Sequence, residues 1–148
     1  MPSEEHFSAM STIPQATIDA YLETHYHVFG DSPTSLQIGI ASAVLAEIHR
    51  MHRVSASAFI TAWNPLSQAL SGEENAARQR VLALELTHRG LAFIDGIGQH
   101  PLGTWPGEAS CLVLGCSLDV AKELGEAHGQ NAIVWSGADA VPQIVLLR

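Results

Sequence analysis

Apolar positions along this chain switch between helical spacing and short continuous runs, and the switches lay out its elements. Ile18, Tyr21, Leu22 and His25 share one helical face behind Thr12 to Pro14, where threonine caps and proline is tolerated in a first turn. Gly30 to Pro33 ends that element. A short strand, Leu36 to Ile40, leads into a second helix from Ser42 with Val44, Leu45, Ile48 and Met51 as its expected buried stripe. Ser57 to Trp63 reads as a strand that Asn64-Pro65 stops, because a residue before proline avoids helical angles. Ser71-Gly72-Glu73-Glu74 has the spacing of a capping box, and the helix behind it runs to Arg89, with Gly90 as a left-handed terminator. Leu91 to Ile97 and Ser110 to Gly115 are strands. Ser117 caps a helix that ends at Gly129, and Ala132 to Trp135 and Gln143 to Leu147 close the chain as two more strands.

Helices alternating with strands suggest parallel crossovers, and the two adjacent strand pairs suggest hairpins. The expected fold is therefore α+β: one domain over residues 15–148, with helices packed on a mixed parallel and antiparallel sheet of about six strands. Residues 1–14 are expected to be a flexible segment. With parallel strands flanking the Ser71 helix, the ends of Trp63 and Ile97 fall on one sheet edge. The strand starting near Glu108 to Ser110 and the segment Gln130-Asn131 return to that edge. All three asparagines, Asn64, Asn75 and Asn131, lie in these converging segments. In open α/β sheets such an edge is where ligands bind.

Composition narrows the function classes. Of 148 residues 47% are hydrophobic and 15% charged, a balance that suits a packed globule rather than a disordered chain. The formal charge is −8, and the few arginines form no run. A protein that tracks phosphate backbones needs a basic stripe, so general nucleic-acid binding is not expected. No apolar stretch approaches the ~20 residues that span a bilayer, and Met1 to Pro14 lacks the basic start and apolar core of a secretory signal. A cytoplasmic protein with no membrane partner is the expectation. Cys111 and Cys116, five apart in one apolar run, read as buried inert thiols on opposite faces.

Several segments occur in one order: Tyr21-x-x-Thr24-x-Tyr26, Thr61-Ala62-Trp63-Asn64-Pro65-Leu66-Ser67, Glu73-Glu74-Asn75, Glu108-x-Ser110 and Gly129-Gln130-Asn131-Ala132. Together they resemble the bacterial domain-of-unknown-function family numbered 3293, over nearly the whole chain from Ile18. The resemblance implies a small bacterial protein and supplies no substrate, cofactor or catalytic residue.

The chemistry must come from the residues themselves. Glu108, before a buried strand on the shared edge, is the one candidate for acid/base work, since burial would raise its pKa. Arg78 either pairs with Glu74 along the helix or answers an anionic ligand beside the helix start. Trp63 either stacks on a ligand ring or packs in the core, and Trp105 shares that choice. His49 with His52, and His25 with His27, are the close histidine spacings; no cysteine accompanies them, which favours structural roles over a metal site. Gly96-Ile97-Gly98 lacks the third glycine and following helix of a dinucleotide fingerprint and reads as a turn. The candidate binding edge comprises Thr61, Trp63, Asn64, Asn75, Arg78, Glu108, Ser110, Gln130 and Asn131. It would take a small polar or nucleotide-like ligand. The alternatives are a non-catalytic interaction module that meets a protein partner through its acidic surface, and a hydrolase or transferase using Glu108 as base.

Overall fold

The computed structural model describes residues 11–103 and 107–148; Trp105 lies outside them. In chain order the elements are α1 (Gln15–Glu23), β1 (His25–Val28), β2 (Thr34–Leu36), α2 (Ala43–Met51), β3 (Ser57–Thr61), a 3-10 turn (Pro65–Ser67), α3 (Gly72–His88), β4 (Phe93–Gln99), β5 (Glu108–Leu114), α4 (Leu118–Ala127), β6 (Ala132–Ser136) and β7 (Gln143–Leu146). The strands form one seven-stranded sheet in the order β2-β1-β4-β5-β3-β6-β7.

Every neighbouring pair in that sheet is antiparallel, which corrects the expected mixture of parallel and antiparallel strands. The reason lies in how the crossovers interlock. The β3-α3-β4 connection skips one position, and β5 fills it running back; the β5-α4-β6 connection likewise steps over β3. Strands β3 and β4 thus run in one direction without touching. This βαββαβ core has the split βαβ connectivity of ferredoxin-like domains. The hairpin β1–β2 extends it on one side and β7 on the other.

Period-two alternation divides the apolar residues between two layers. On one face, Ala58, Ile60, Ala62, Cys111 and Val113 pack under Leu82 and Leu86 of α3 and Ala121 and Leu124 of α4. On the other, Phe59, Leu112, Leu114 and Val134 meet Tyr26, Val28, Leu36 and the α2 residues Leu45 and Ile48. The helix starts follow their caps. Ser42, Ser71 and Ser117 each accept a backbone N–H in the first turn, and the Ser71–Glu74 capping box is complete in both directions.

Five further expectations need correction. His25 belongs to β1 and not to a helical face: Thr24 turns extended, and its hydroxyl caps the carbonyl of Ala20 at 2.7 Å. The strand expected at Leu36 to Ile40 is Thr34–Leu36, and Gly39, at φ 85°, turns the chain toward α2. Val44 and Met51 are exposed, while His49 takes a buried place on α2 beside Leu45 and Ile48. Its Nε2 lies 2.7 Å from the Ser57 hydroxyl, so the ring is satisfied in the core and burial pushes its pKa down. Gly96 and Gly98 lie inside β4 rather than in a turn. A Cβ on Gly96 would stand 2.4 Å from the His27 carbonyl and 2.9 Å from the Phe59 ring, so the close approach of β1 requires glycine there.

Cys111 and Cys116 are both buried and free. They share one core cluster rather than opposite faces, because Gly115, at φ 68°, turns the chain after β5 ends. Burial pushes their thiols up to about 12 and about 11 respectively. No helix among the described residues is long and apolar enough to cross a membrane.

Candidate functional site

The interlocked crossovers deliver the ends of β3 and β4, the start of β5, the start of α3 and the segment before β6 to one end of the sheet. The convergence expected from parallel neighbours therefore arises by a different route. A cavity of ≈ 570 Å³ opens there. The sheet lines it with Phe59, Thr61, Gly98 and Ser110, α1 with Ala20 and Tyr21, and the loop between β3 and α3 with Trp63, Asn64, Ser67 and Leu70.

That loop is bent against its own preferences. Asn64, Leu66 and Ser67 all adopt positive φ (44°, 57° and 61°). Such backbone persists only where surrounding contacts over-determine it, at a cost of about 1 kcal/mol or more per non-glycine residue. Those contacts are present. The Asn64 amide N–H donates to Asn75 Oδ1 at 2.8 Å, and Asn75 Nδ2 returns a bond to Asn64 Oδ1 at 2.8 Å. Asn64 Oδ1 also accepts the Leu70 N–H at 3.0 Å, and Asn64 Nδ2 donates to Glu108 Oε2 at 2.9 Å. Leu66 N–H donates to the Gly129 carbonyl at 2.7 Å, and Asn131 Nδ2 donates to Ser67 Oγ at 2.8 Å. The Asn64–Asn75 pair, with Asn75 only 1% exposed, is the centre of the clamp.

Glu108 is the only carboxylate on the cavity wall among the described residues. Burial raises its pKa, and the Asn64 bond only partly offsets this. Its Oε1 remains accessible and carries no hydrogen bond among those residues. Nearby, Tyr26 donates its hydroxyl to the Tyr21 carbonyl at 2.7 Å, and burial pushes that phenol above its ordinary range. Tyr26 and Phe59 meet edge to face with ring centroids 5.3 Å apart. Trp63 Nε1 is a buried donor with no partner among the described residues.

Seven residues read from the sequence line this cavity: Thr61, Trp63, Asn64, Asn75, Glu108, Ser110 and Gln130. Several are occupied by local bonds. Thr61 Oγ1 donates to the Ala109 carbonyl and accepts the Trp63 N–H, Ser110 Oγ donates to the Glu108 carbonyl, and Gln130 Nε2 donates to the carbonyls of Trp63 and His128. Two residues fall outside the lining. Arg78 is exposed, and its expected partner Glu74 serves the capping box. Asn131 is buried behind the wall, between Ser67 and the guanidinium of Arg148, which donates to it at 2.9 Å.

The α1–β1 wall was missed. Tyr21, Thr24, Tyr26 and His100 all contribute to the cavity, and His100 Nε2 lies 2.8 Å from Glu23. The signal was available in the Tyr21-x-x-Thr24-x-Tyr26 segment, whose polar spacing exceeds what an amphipathic helix requires.

The fold and cavity define a small α+β domain whose split βαβ core converges on one pocket. Residues 60–133, half of the chain, match the family model described as Protein of unknown function (DUF3293), and the chain belongs to that family. The match runs from β3 to the start of β6 and so spans the two interlocked crossovers together with the Asn64, Asn75 and Glu108 clamp. No curated protein and no solved structure matches the chain.

Proposed function

We propose that this protein binds a small organic molecule in the cavity at the end of its sheet, with Glu108 as the polar contact. The single observation that carries this reading is the cavity itself. Its ≈ 570 Å³ lies in the range of small-molecule pockets, and its largely apolar wall bears one half-buried carboxyl with a free oxygen. Loop strain held by dedicated side chains beside that wall supports it, since strained backbone clusters at ligand sites. A nucleotide is disfavoured as occupant: no arginine or lysine is among the described lining residues, and Arg78 stands apart from it.

A second reading, Glu108 as a general acid or base, is favoured by its raised pKa. Binding is preferred because the nearby hydroxyls of Ser67 and Ser110 are engaged in local bonds, and none of their partners among the described residues is a histidine or carboxylate side chain.

The test is thermal unfolding against a library spanning organic cations, neutral molecules and anions. A ligand at a hundred times its Kd stabilises by about 2.7 kcal/mol, which in a domain of this size shifts Tm by roughly 5–10 °C. The control is Gly98→Leu: a Cβ there meets only ordinary contacts at 3.7–3.9 Å, so the side chain enters the cavity. The shift should vanish in that variant. Shifts that persist in it, or none with any compound, contradict the reading.

A further inference from the structure

The cavity's charge pattern specifies its occupant further, on the premise that the cavity binds a ligand at all. Among the described residues its wall carries one carboxylate, Glu108, and no arginine or lysine. The other ionisable groups facing it are the phenols of Tyr21 and Tyr26 and the imidazole of His100, which is already bonded to Glu23. Glu108 Oε2 is held by Asn64 Nδ2 at 2.9 Å, which orients the carboxyl and leaves Oε1 for something else. No cation among the described residues forms a salt bridge with it; their salt bridges lie elsewhere. Glu108 is half-buried, and a carboxylate drawn partly out of water without a counter-charge carries a cost that a ligand bringing the charge removes.

The rest of the wall says what kind of cation fits. A metal ion such as calcium takes six to eight oxygen ligands, and one free carboxylate oxygen among apolar side chains cannot supply them. Four aromatic side chains, Tyr21, Tyr26, Phe59 and Trp63, line the cavity, and aromatic faces attract organic cations that have shed their water. Val134, Ile144 and Leu70 add apolar surface for a carbon body. The chain's net charge of −8 draws cations toward the protein and repels anions.

We propose that the cavity selects a small organic cation, an amine with a compact apolar body, whose ammonium group donates to Glu108 Oε1 while the body packs against the aromatic wall.

Matched isosteres test this. Phenethylamine would be compared with phenethyl alcohol and phenylacetate, and cyclohexylmethylamine with cyclohexylmethanol and cyclohexanecarboxylate. Binding would be followed by calorimetric titration of the full chain at neutral pH. Charge-assisted bonds are about twice as strong as neutral ones, so the amines should bind about tenfold or more tighter than the alcohols, and the carboxylates weakest. Glu108→Gln keeps the side-chain shape and should bring amine and alcohol to within a few-fold of each other. Gly98→Leu should abolish binding of both. Alcohols or carboxylates binding as tightly as the amines to the wild-type protein would overturn the cation assignment and leave the cavity reading standing, a result that needs no variant to fold. Binding by none of the six compounds would overturn both.

Discussion

Replacing Asn75 is the sharpest perturbation of the clamp. Its side chain, 1% exposed, accepts the Asn64 N–H and donates to Asn64 Oδ1, both at 2.8 Å, with a longer bond to the Leu70 carbonyl at 3.4 Å. Asn75→Ala removes all three. Two good hydrogen bonds contribute about 1 kcal/mol each net, and the orphaned Asn64 N–H adds a desolvation cost of ~1–3 kcal/mol. The expected loss is therefore about 3–5 kcal/mol, large against a typical total of ~5–15 kcal/mol yet compatible with folding. Urea unfolding followed by circular dichroism would measure it, with a Tm drop of roughly 6–20 °C in parallel. Asn75→Asp sharpens the test. At neutral pH it sets a carboxylate oxygen against Asn64 Oδ1 and should cost more than alanine; in acid the protonated group can donate again, and the deficit should narrow. A loss below about 1 kcal/mol for Asn75→Ala, or no pH dependence of the Asn75→Asp deficit, would refute the claim that this pair holds the strained loop.

Three further outcomes are expected. Ser71→Ala opens the capping box of α3 and should cost about 1 kcal/mol in the same unfolding assay, with Ser71→Gly costing less. Glu108 has a folded pKa raised above its unfolded value, so the stability it contributes is present while it is protonated and is lost as pH rises through the folded pKa. Unfolding curves in apo protein should therefore show Glu108→Gln gaining on wild type as pH climbs from the ordinary carboxylate range, then levelling; a gain at low pH instead would contradict the sign. Cys111 and Cys116, buried with thiols pushed up to about 12 and about 11, should resist an aromatic disulfide reagent in the native state and react at once in denaturant.

What could be read from the sequence was local chemistry with a one-to-one structural cause. The Ser71–Glu74 box, the Ser42 and Ser117 caps and the terminators Gly90 and Gly129 all occur where the spacing placed them. So does the meeting of Asn64, Asn75 and Glu108 at one end of the sheet. Strand pairing was not legible, because nothing local distinguishes a β3–β4 neighbour from a pair with β5 inserted between them. The same limit hid β1: His25 continues the helical face of Ile18, Tyr21 and Leu22 as well as it begins a strand, and only the pairing with the β4 backbone decides between them. Asn131 reads as a ligand contact in the sequence because its tertiary partner, Arg148, is 17 residues away and nothing local pairs the two. The sequence leaves Arg78 between Glu74 and the cavity because helical phase at α3 depends on how α3 sits on the sheet.

The most direct test of the central claim is a crystal structure of the protein grown with phenethylamine. The account expects density in the cavity at the sheet end, with the amine nitrogen at hydrogen-bond distance from Glu108 Oε1 and the ring against Phe59 and Tyr26. An empty cavity at saturating amine, or an amine bound with its nitrogen away from Glu108, would contradict it.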